Sequence, residues 1–394
     1  MADRIIEREL DLTKTLKTKS LFLFGPRQTG KTTFLQYTYP DALYINLLNT
    51  QLQIELLNEP YRLHQIILAQ KNKHLVIIDE IQKIPALLDE VQAIIQQNPG
   101  LHFILTGSSA RKIKKAGINL LGGRARIITF VPFVYPEYLR AEIQLERVLQ
   151  WGTLPQVILA DDPRSELLDY INVYLREEVQ AESLVRSLAQ FSRFLDLAAT
   201  TVSEQVVYES LCSDVGVSAP TIKEYFQILE DTLIGHRLYP FSKTIKRKAM
   251  ASPKFFFFDV GICNALLKRF SLHQKTREYG TACEQYIFQE LHACRSHYHQ
   301  PFLMFYWRSY DKHEVDFVIE LENADLILIE VKASKRIDTK DLSGIHAFCA
   351  EKNIQILKKI IVCFESTKRV IDNDVMIYPI TDFLNDLWSK KIIP

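Results

Sequence analysis

Six cysteines occur in this chain of 394 residues, yet no two of them stand as a C-x-x-C pair. Neither a zinc ribbon nor a disulfide framework is suggested, and unpatterned cysteine fits a reducing compartment. An excess of one charge is missing too. The formal net charge is +1, so any attraction to a polyanion has to be local. No apolar run approaches the ~18 residues expected of a membrane span. The opening residues are charged throughout, unlike a secretory leader. These absences lead us to expect a cytoplasmic protein without membrane attachment. Its length is that of two or three domains.

One stretch near the start is rich in information. Leu21 to Phe24 are all apolar and read as a buried strand. Gly25, Pro26, Arg27, Gln28, Thr29, Gly30, Lys31, Thr32 and Thr33 follow, and then a helix. Gly-x-x-x-x-Gly-Lys-Thr between a strand and a helix is the P-loop pattern. Its backbone N–H groups wrap phosphate oxygens at the positive end of the helix. Lys31 is expected to reach the β- and γ-phosphates of ATP, and the Thr32 hydroxyl to bind Mg²⁺.

A second strand, Leu75 to Ile78, ends in Asp79 and Glu80. An all-apolar run suits a central parallel strand covered on both faces. Asp79 is expected to hold Mg²⁺ and Glu80 to orient or deprotonate the attacking water. A third strand, Leu101 to Leu105, runs into Thr106-Gly107-Ser108-Ser109. Thr106 or Ser108 is placed to sense the γ-phosphate; a helix N-cap by Ser108 or Ser109 is the alternative. Further on, Gly122 and Gly123 precede Arg124. A tight turn there would aim the guanidinium at phosphate, in its own subunit or a neighbour's, unless Arg124 is simply a surface residue.

Taken together, these motifs resemble a widespread prokaryotic family of AAA+ ATPases with an additional C-terminal region. The resemblance runs on through Gly152-Thr153-Leu154-Pro155 and covers nearly the whole chain. Gly122 stands where that family often has Ala, and Thr153 where it often has a second Gly. The resemblance implies ATP and Mg²⁺ as cofactors and favours a homo-oligomer, a ring or at least a dimer.

From about Leu184 to Lys254 the texture changes. Val206 to Val215 reads as an amphipathic helix and Gly216 to Ser218 as a turn. Thr221 to Leu229 reads as a second helix, with Ser218 as N-cap and Pro220 in its first turn. Ile222, Tyr225, Phe226 and Leu229 share one face, with Lys223 on the outer side. This is a helix-turn-helix pattern. The basic run from Lys243 to Lys248, followed by Lys254, is expected on a wing that contacts DNA phosphates. Packing between domains or subunits is the alternative role for such an element.

In the last third, Glu314 to Ile319 and Leu326 to Lys332 read as a hairpin turning near Asn323. Alternation puts Val315, Phe317 and Ile319 on one face, and Glu314 with Asp316 on the other. Leu328, Glu330 and Lys332 share a face of the second strand. An acid and a lysine on a buried strand are costly unless they serve something. Asp, then Glu-x-Lys, is similar to the PD-(D/E)XK nuclease motif, in which two acids bind a divalent metal and the lysine assists the attacking water. That resemblance gives Asp316 and Glu330 as ligands of Mg²⁺ or Mn²⁺, Lys332 as catalytic, and Glu284, on a preceding helix, as a further acid. A buried ion-pair cluster of Asp316, Glu330 and Lys332 is the structural alternative. His297 and His299 read as an exposed loop. Lys335, Arg336 and Lys340 add basic residues beside the acids, where a nucleic-acid backbone would pass.

The expected fold is α/β: an AAA+ P-loop core over residues 1–150, a helical linker and winged helix over 151–254, and a restriction-endonuclease-like domain over 255–394. The expected function is ATP hydrolysis coupled to DNA binding, with metal-dependent cleavage at the C-terminal site. An ATPase whose C-terminal domain binds without cutting, or a nucleotide-controlled protein-binding switch, are the rivals.

Overall fold

Five apolar segments pair into one all-parallel sheet in the computed structural model, which describes residues 5–70, 72–109, 111, 121–175, 187–242, 252–298, 302–351 and 354–393. They are β1 (Ser20–Phe24), β2 (Leu43–Asn46), β3 (Leu75–Asp79), β4 (His102–Gly107) and β5 (Ala125–Thr129), in the order β2-β3-β4-β1-β5. Strand alternation divides their side chains between two cores. Phe22, Phe24, Val76, Ile78, Phe103 and Leu105 fill one, while Leu21, Leu23, Ile77, Ile104 and Ile128 fill the other. Because both faces are covered, the strands have to be apolar at nearly every position. The order also inserts β4 between β1 and β3, so the end of β4 lies between Asp79 and the loop after β1. Helix α1 (Lys31–Thr38) follows that loop.

The middle of the chain is helical. Helix α2 (Leu188–Thr200) packs on α3 (Tyr208–Val215) and α4 (Ala219–Asp231). Gly216 ends α3 with φ 76°, a left-handed conformation that glycine adopts at little cost. Ile222, Tyr225, Phe226 and Leu229 are buried and Lys223 is exposed, as the spacing predicts. Ser218 sits at the N-cap of α4, but its hydroxyl meets the Thr221 hydroxyl (3.0 Å) and caps no backbone N–H. Two antiparallel strands follow, β6 (Gly235–Leu238) and β7 (Lys254–Phe257). The basic run from Lys243 to Lys248 lies outside the described residues. Lys254 is no part of an exposed wing, because it is only 1% exposed. The boundary expected between residues 254 and 255 falls inside β7.

After β7, Asp259 ties two segments together. It accepts hydrogen bonds from the Gly261 and Ile262 N–H groups at the start of α5 (Val260–Leu266), and from the Thr153 N–H (2.7 Å) and hydroxyl. A Cβ on Gly152 would lie 2.0 Å from the Asp259 carboxylate, so no side chain fits there.

The last third holds α6 (Arg277–Tyr298), β8 (Leu303–Arg308), β9 (Glu314–Glu320), β10 (Leu326–Val331), α7 (Ser343–Glu351), β11 (Ile356–Cys363), β12 (Arg369–Ile371), β13 (Val375–Pro379) and α8 (Ile380–Trp388). Its strands form a mixed sheet in the order β12-β13-β11-β10-β9-β8, with α6 on one face and α7 on the other. The alternation expected along β9 is broken. Val315 and Val318 join the α7 side, whereas Phe317 and Ile319 join the α6 side. The cause is a bulge: Phe305 pairs with Val318 and Trp307 with Val315, so β9 carries one more residue than β8. His297 belongs to the last turn of α6 and is buried against Trp388, contrary to the loop expected there; His299 lies outside the described residues. No helix among the described residues is long and apolar enough to cross a membrane.

Helix α6 is buried on most of its circumference, including polar positions. Glu290 accepts from the Tyr135 N–H and the Trp388 indole, both at Oε2. Burial raises its carboxyl to about 7. A folded-state pKa above the unfolded value favours the protonated acid, so stability from this group is lost as pH rises from about 4.5 to 7. Glu290→Gln, which keeps the neutral shape, should therefore gain on the wild type by up to about 3 kcal/mol between pH 4.5 and pH 8. Urea denaturation at the two pH values measures it; a pH-independent difference contradicts the assignment.

Candidate nucleotide site and C-terminal charge centre

The loop after β1 is held open by backbone geometry. Gly25 lies so close to the Phe130 carbonyl that a Cβ would sit 2.1 Å from it, and Gly30 has φ 88° at the start of α1. Gln28 also has positive φ, at 59°. Thr29 braces the loop through its hydroxyl to the Pro26 carbonyl (2.9 Å). The Lys31 ammonium folds into the loop and donates to the carbonyls of Gly25 (2.6 Å) and Pro26 (2.8 Å). Thr32 and Thr33 are exposed at the mouth, and Arg27 is half-buried.

Asp79 gathers three hydroxyls. Thr32 donates to its Oδ2 (3.1 Å), Tyr44 donates to the same oxygen, and Thr106 donates to Oδ1. Thr106 also accepts the Glu80 N–H (3.2 Å), so its hydroxyl fixes the two acids instead of facing open space. Glu80 has φ 63°, uncommon for a non-glycine residue and costing on the order of 1–3 kcal/mol. Its carboxylate is held by the Gln82 amide. Tyr44 is invisible to motif reading. It enters only because β2 pairs with β3, and burial followed by the Asp79 carboxylate pushes its phenol well above the ordinary range.

Arg124 is exposed and precedes β5. Ser20, the first residue of β1, pairs with Ala125, so Arg124 stands at the opposite end of the sheet from the loop. Five strand residues at ~3.3 Å each separate the two levels, about 16 Å. Action on its own phosphates is therefore excluded; a neighbour's site and a plain surface position are the two readings left for it.

Arg8 was missed by sequence reading for lack of any motif. Its guanidinium is buried, pairs with Glu137 (2.9 Å), and donates to the carbonyls of Thr29 (2.8 Å), Val131 (2.6 Å) and Pro132 (3.0 Å). It thus ties the loop to the segment after β5.

At the C-terminal end the acids divide into two groups. Glu284, on α6, pairs with Lys254 (2.9 Å), which also contacts Glu314 and lies 3.9 Å from Asp316. Burial alone would lower the Lys254 pKa, but Glu284, Asp316 and Glu314 together hold it above the ordinary lysine value. Glu330 pairs instead with Lys332 (2.6 Å), on the side of the sheet covered by α7. Burial, then the Asp316 charge, raises the Glu330 carboxyl to about 7, and its Oε2 is buried without a hydrogen-bond partner among the described residues. Asp316 lies between the groups: past Phe317 it leaves the ladder, and its carboxylate accepts the Val331 N–H (2.8 Å). Among the described residues no three Asp, Glu, His or Cys side chains are arranged to hold a metal ion. The metal set of Glu284, Asp316 and Glu330 that the nuclease motif implies is therefore not assembled, because Glu284 lies with Lys254 and Glu330 with Lys332.

The parallel sheet, the loop and the Thr32–Asp79 contact form a P-loop core resembling that of AAA ATPases. Residues 17–139 match the family described as "AAA domain", residues 142–273 a domain of unknown function (DUF8612), and residues 279–383 another (DUF4143). The chain is similar to the uncharacterized protein MJ1544 of Methanocaldococcus jannaschii, with 25% identity over 83% of this chain and 77% of that one. It is also similar to the uncharacterized protein Rv2008c of Mycobacterium tuberculosis, with 24% identity over 76% and 67% respectively. Among solved structures, AMPPCP-bound DnaA from Aquifex aeolicus covers 56% of this chain and 85% of its own, at 12% identity and a TM-score of 0.29, too remote to carry an argument.

Arg8→Met should leave Glu137 buried without its cation. We expect a loss of about 3–5 kcal/mol by urea denaturation, with nucleotide affinity falling in whatever fraction stays folded. An unchanged midpoint would remove Arg8 from the account of the loop.

Proposed function

We propose that this chain hydrolyses ATP at the Gly25–Thr33 loop and uses its nucleotide state to govern how the middle and C-terminal elements engage DNA. The supporting observation is the contact between the Thr32 hydroxyl, in the first turn of α1, and Asp79, at the end of β3, 3.1 Å apart. Both oxygens converge beside the loop, which fits Mg²⁺ shared with phosphate. Bound there, the ion would neutralise charge developing on the phosphates. Lys31 exchanges the Gly25 and Pro26 carbonyls for the β- and γ-phosphates. Glu80 orients water, and Gln82 positions the Glu80 carboxylate. A cleft lined by the Ile5–Asp11 segment, Phe34 and Tyr37 opens beside Gly30 and offers room for the rest of the nucleotide. Arg124 serves a neighbouring subunit's ATP, which makes the active form an oligomer.

Lys31→Ala should abolish nucleotide binding. Glu80→Gln should bind ATP with near-normal affinity and hydrolyse it at least about tenfold more slowly, within the range of general-base effects. Fluorescent-nucleotide titration and phosphate release measure the two; normal turnover in Glu80→Gln refutes its role.

DNA is favoured as partner by the helix-turn-helix spacing of α3 and α4 and by the exposed Lys335 and Arg336 beside Lys332. Cleavage is not part of the proposal, because the C-terminal acids do not fit a metal. Binding should weaken steeply with salt, and Lys335→Ala with Arg336→Ala should lessen the slope of log K against log[salt] by about 2. No salt-sensitive binding with or without ATP would favour a protein partner instead. Mg²⁺- or Mn²⁺-dependent cutting that Asp316→Ala or Lys332→Ala abolishes would restore the nuclease reading.

A further inference from the structure

The Lys254 ammonium lies among three carboxylates from two elements. Glu284 projects from α6, while Glu314 and Asp316 flank the bulge of β9. Lys254 itself comes from β7, outside the six-stranded sheet, and its ammonium rests 5.6 Å from the centre of the Tyr306 ring. Tyr306 in turn is locked by hydrogen bonds from Gln205 (2.8 Å) and to the Ser252 carbonyl (2.5 Å). The lysine is thus seated by packing and by aromatic contact as well as by charge.

We propose that Lys254 is the resident cation of the C-terminal centre, standing where a nuclease of this pattern would carry its divalent metal, so that the centre needs no metal. A divalent ion needs carboxylate oxygens at about 2.0–2.6 Å. Lys254 already contacts Glu284 and Glu314 and closes the approach to Asp316. Four acids (Glu284, Glu314, Asp316, Glu330) face three cations (Lys254, Lys332 and Arg308, the last 3.3 Å from Glu314), so even with every acid ionised only one negative charge is in excess, and burial, which raises Glu284 to about 8 and Glu330 to about 7, lessens it further. A dication brought into that setting would meet an ammonium at ion-pair range with too little free negative charge to hold it. The lysine also fastens the β6–β7 hairpin to α6 and β9, so the centre acts as a joint between the middle and last parts of the chain. This inference is independent of the ATPase reading, since none of these residues touches the nucleotide loop.

The test is Mn²⁺ binding to the full chain without nucleotide, read by electron paramagnetic resonance. Wild-type protein and Asp316→Ala should retain the same amount of Mn²⁺. Lys254→Met, which keeps the aliphatic volume, should gain one tightly held Mn²⁺, and Lys254→Met with Asp316→Ala should lose it again. A wild-type Mn²⁺ that disappears in Asp316→Ala overturns the proposal, as does folded Lys254→Met that gains none. Where Lys254→Met does not fold, the wild type decides alone. Its melting temperature should be the same in Mg²⁺ and in chelator, and an Asp316-dependent rise with Mg²⁺ overturns the proposal.

Discussion

The architecture depends on a helix whose polar residues are buried. Leaving a buried donor or acceptor unpaired costs about 1–3 kcal/mol, so the buried polar side chains on α6 need partners, and those partners come from several separate segments. Gln285 pairs with both the N–H and the carbonyl of Phe257, as a neighbouring strand would. Gln289 accepts the Val260 N–H and donates to Thr153. Glu290 takes Tyr135 and Trp388, Ser296 reaches the Thr129 carbonyl at the end of β5, and Glu284 meets Lys254. One helix therefore fixes the positions of the nucleotide-binding sheet, the middle hairpin and the C-terminal sheet relative to one another.

That arrangement gives a physical route between the two ends of the molecule. Ser296 and Glu284 lie twelve residues apart on α6, about 18 Å along the axis. Close to the Ser296 end, His236 and His292 stack at 3.9 Å beside a small cavity that is also lined by Pro26 of the nucleotide loop. Burial lowers both imidazoles, so they pack as neutral rings.

Much of the fold was legible because it is local. Four apolar residues before a glycine loop, an apolar run closed by Asp79 and Glu80, and the spacing of Ile222, Tyr225, Phe226 and Leu229 each follow from one element's own pattern. What escaped depends on partners far away in sequence. Lys254 looked like the end of a basic run, since nothing nearby tells of Glu284 and Glu314, which come from other elements. The side on which Val315 lies turns on one extra residue relative to β8. The distance of Arg124 from its own loop follows only from strand order. Tyr44 and Arg8 carry no motif, and each matters because pairing or packing delivers it to Asp79 or Thr29. The nuclease-like acids were legible as residue types, but their pairing with cations was not.

The bulge in β9 has a consequence for how this molecule can change over generations. It turns Asp316 toward a lysine that belongs to an earlier stretch of the chain, so the acidic half and the basic half of one centre are encoded apart. Exchange of the C-terminal segment with that of a distant relative would succeed only if the donor's acids matched the recipient's lysine. Replacement of either segment is thus constrained by the other, although the two lie apart in the chain.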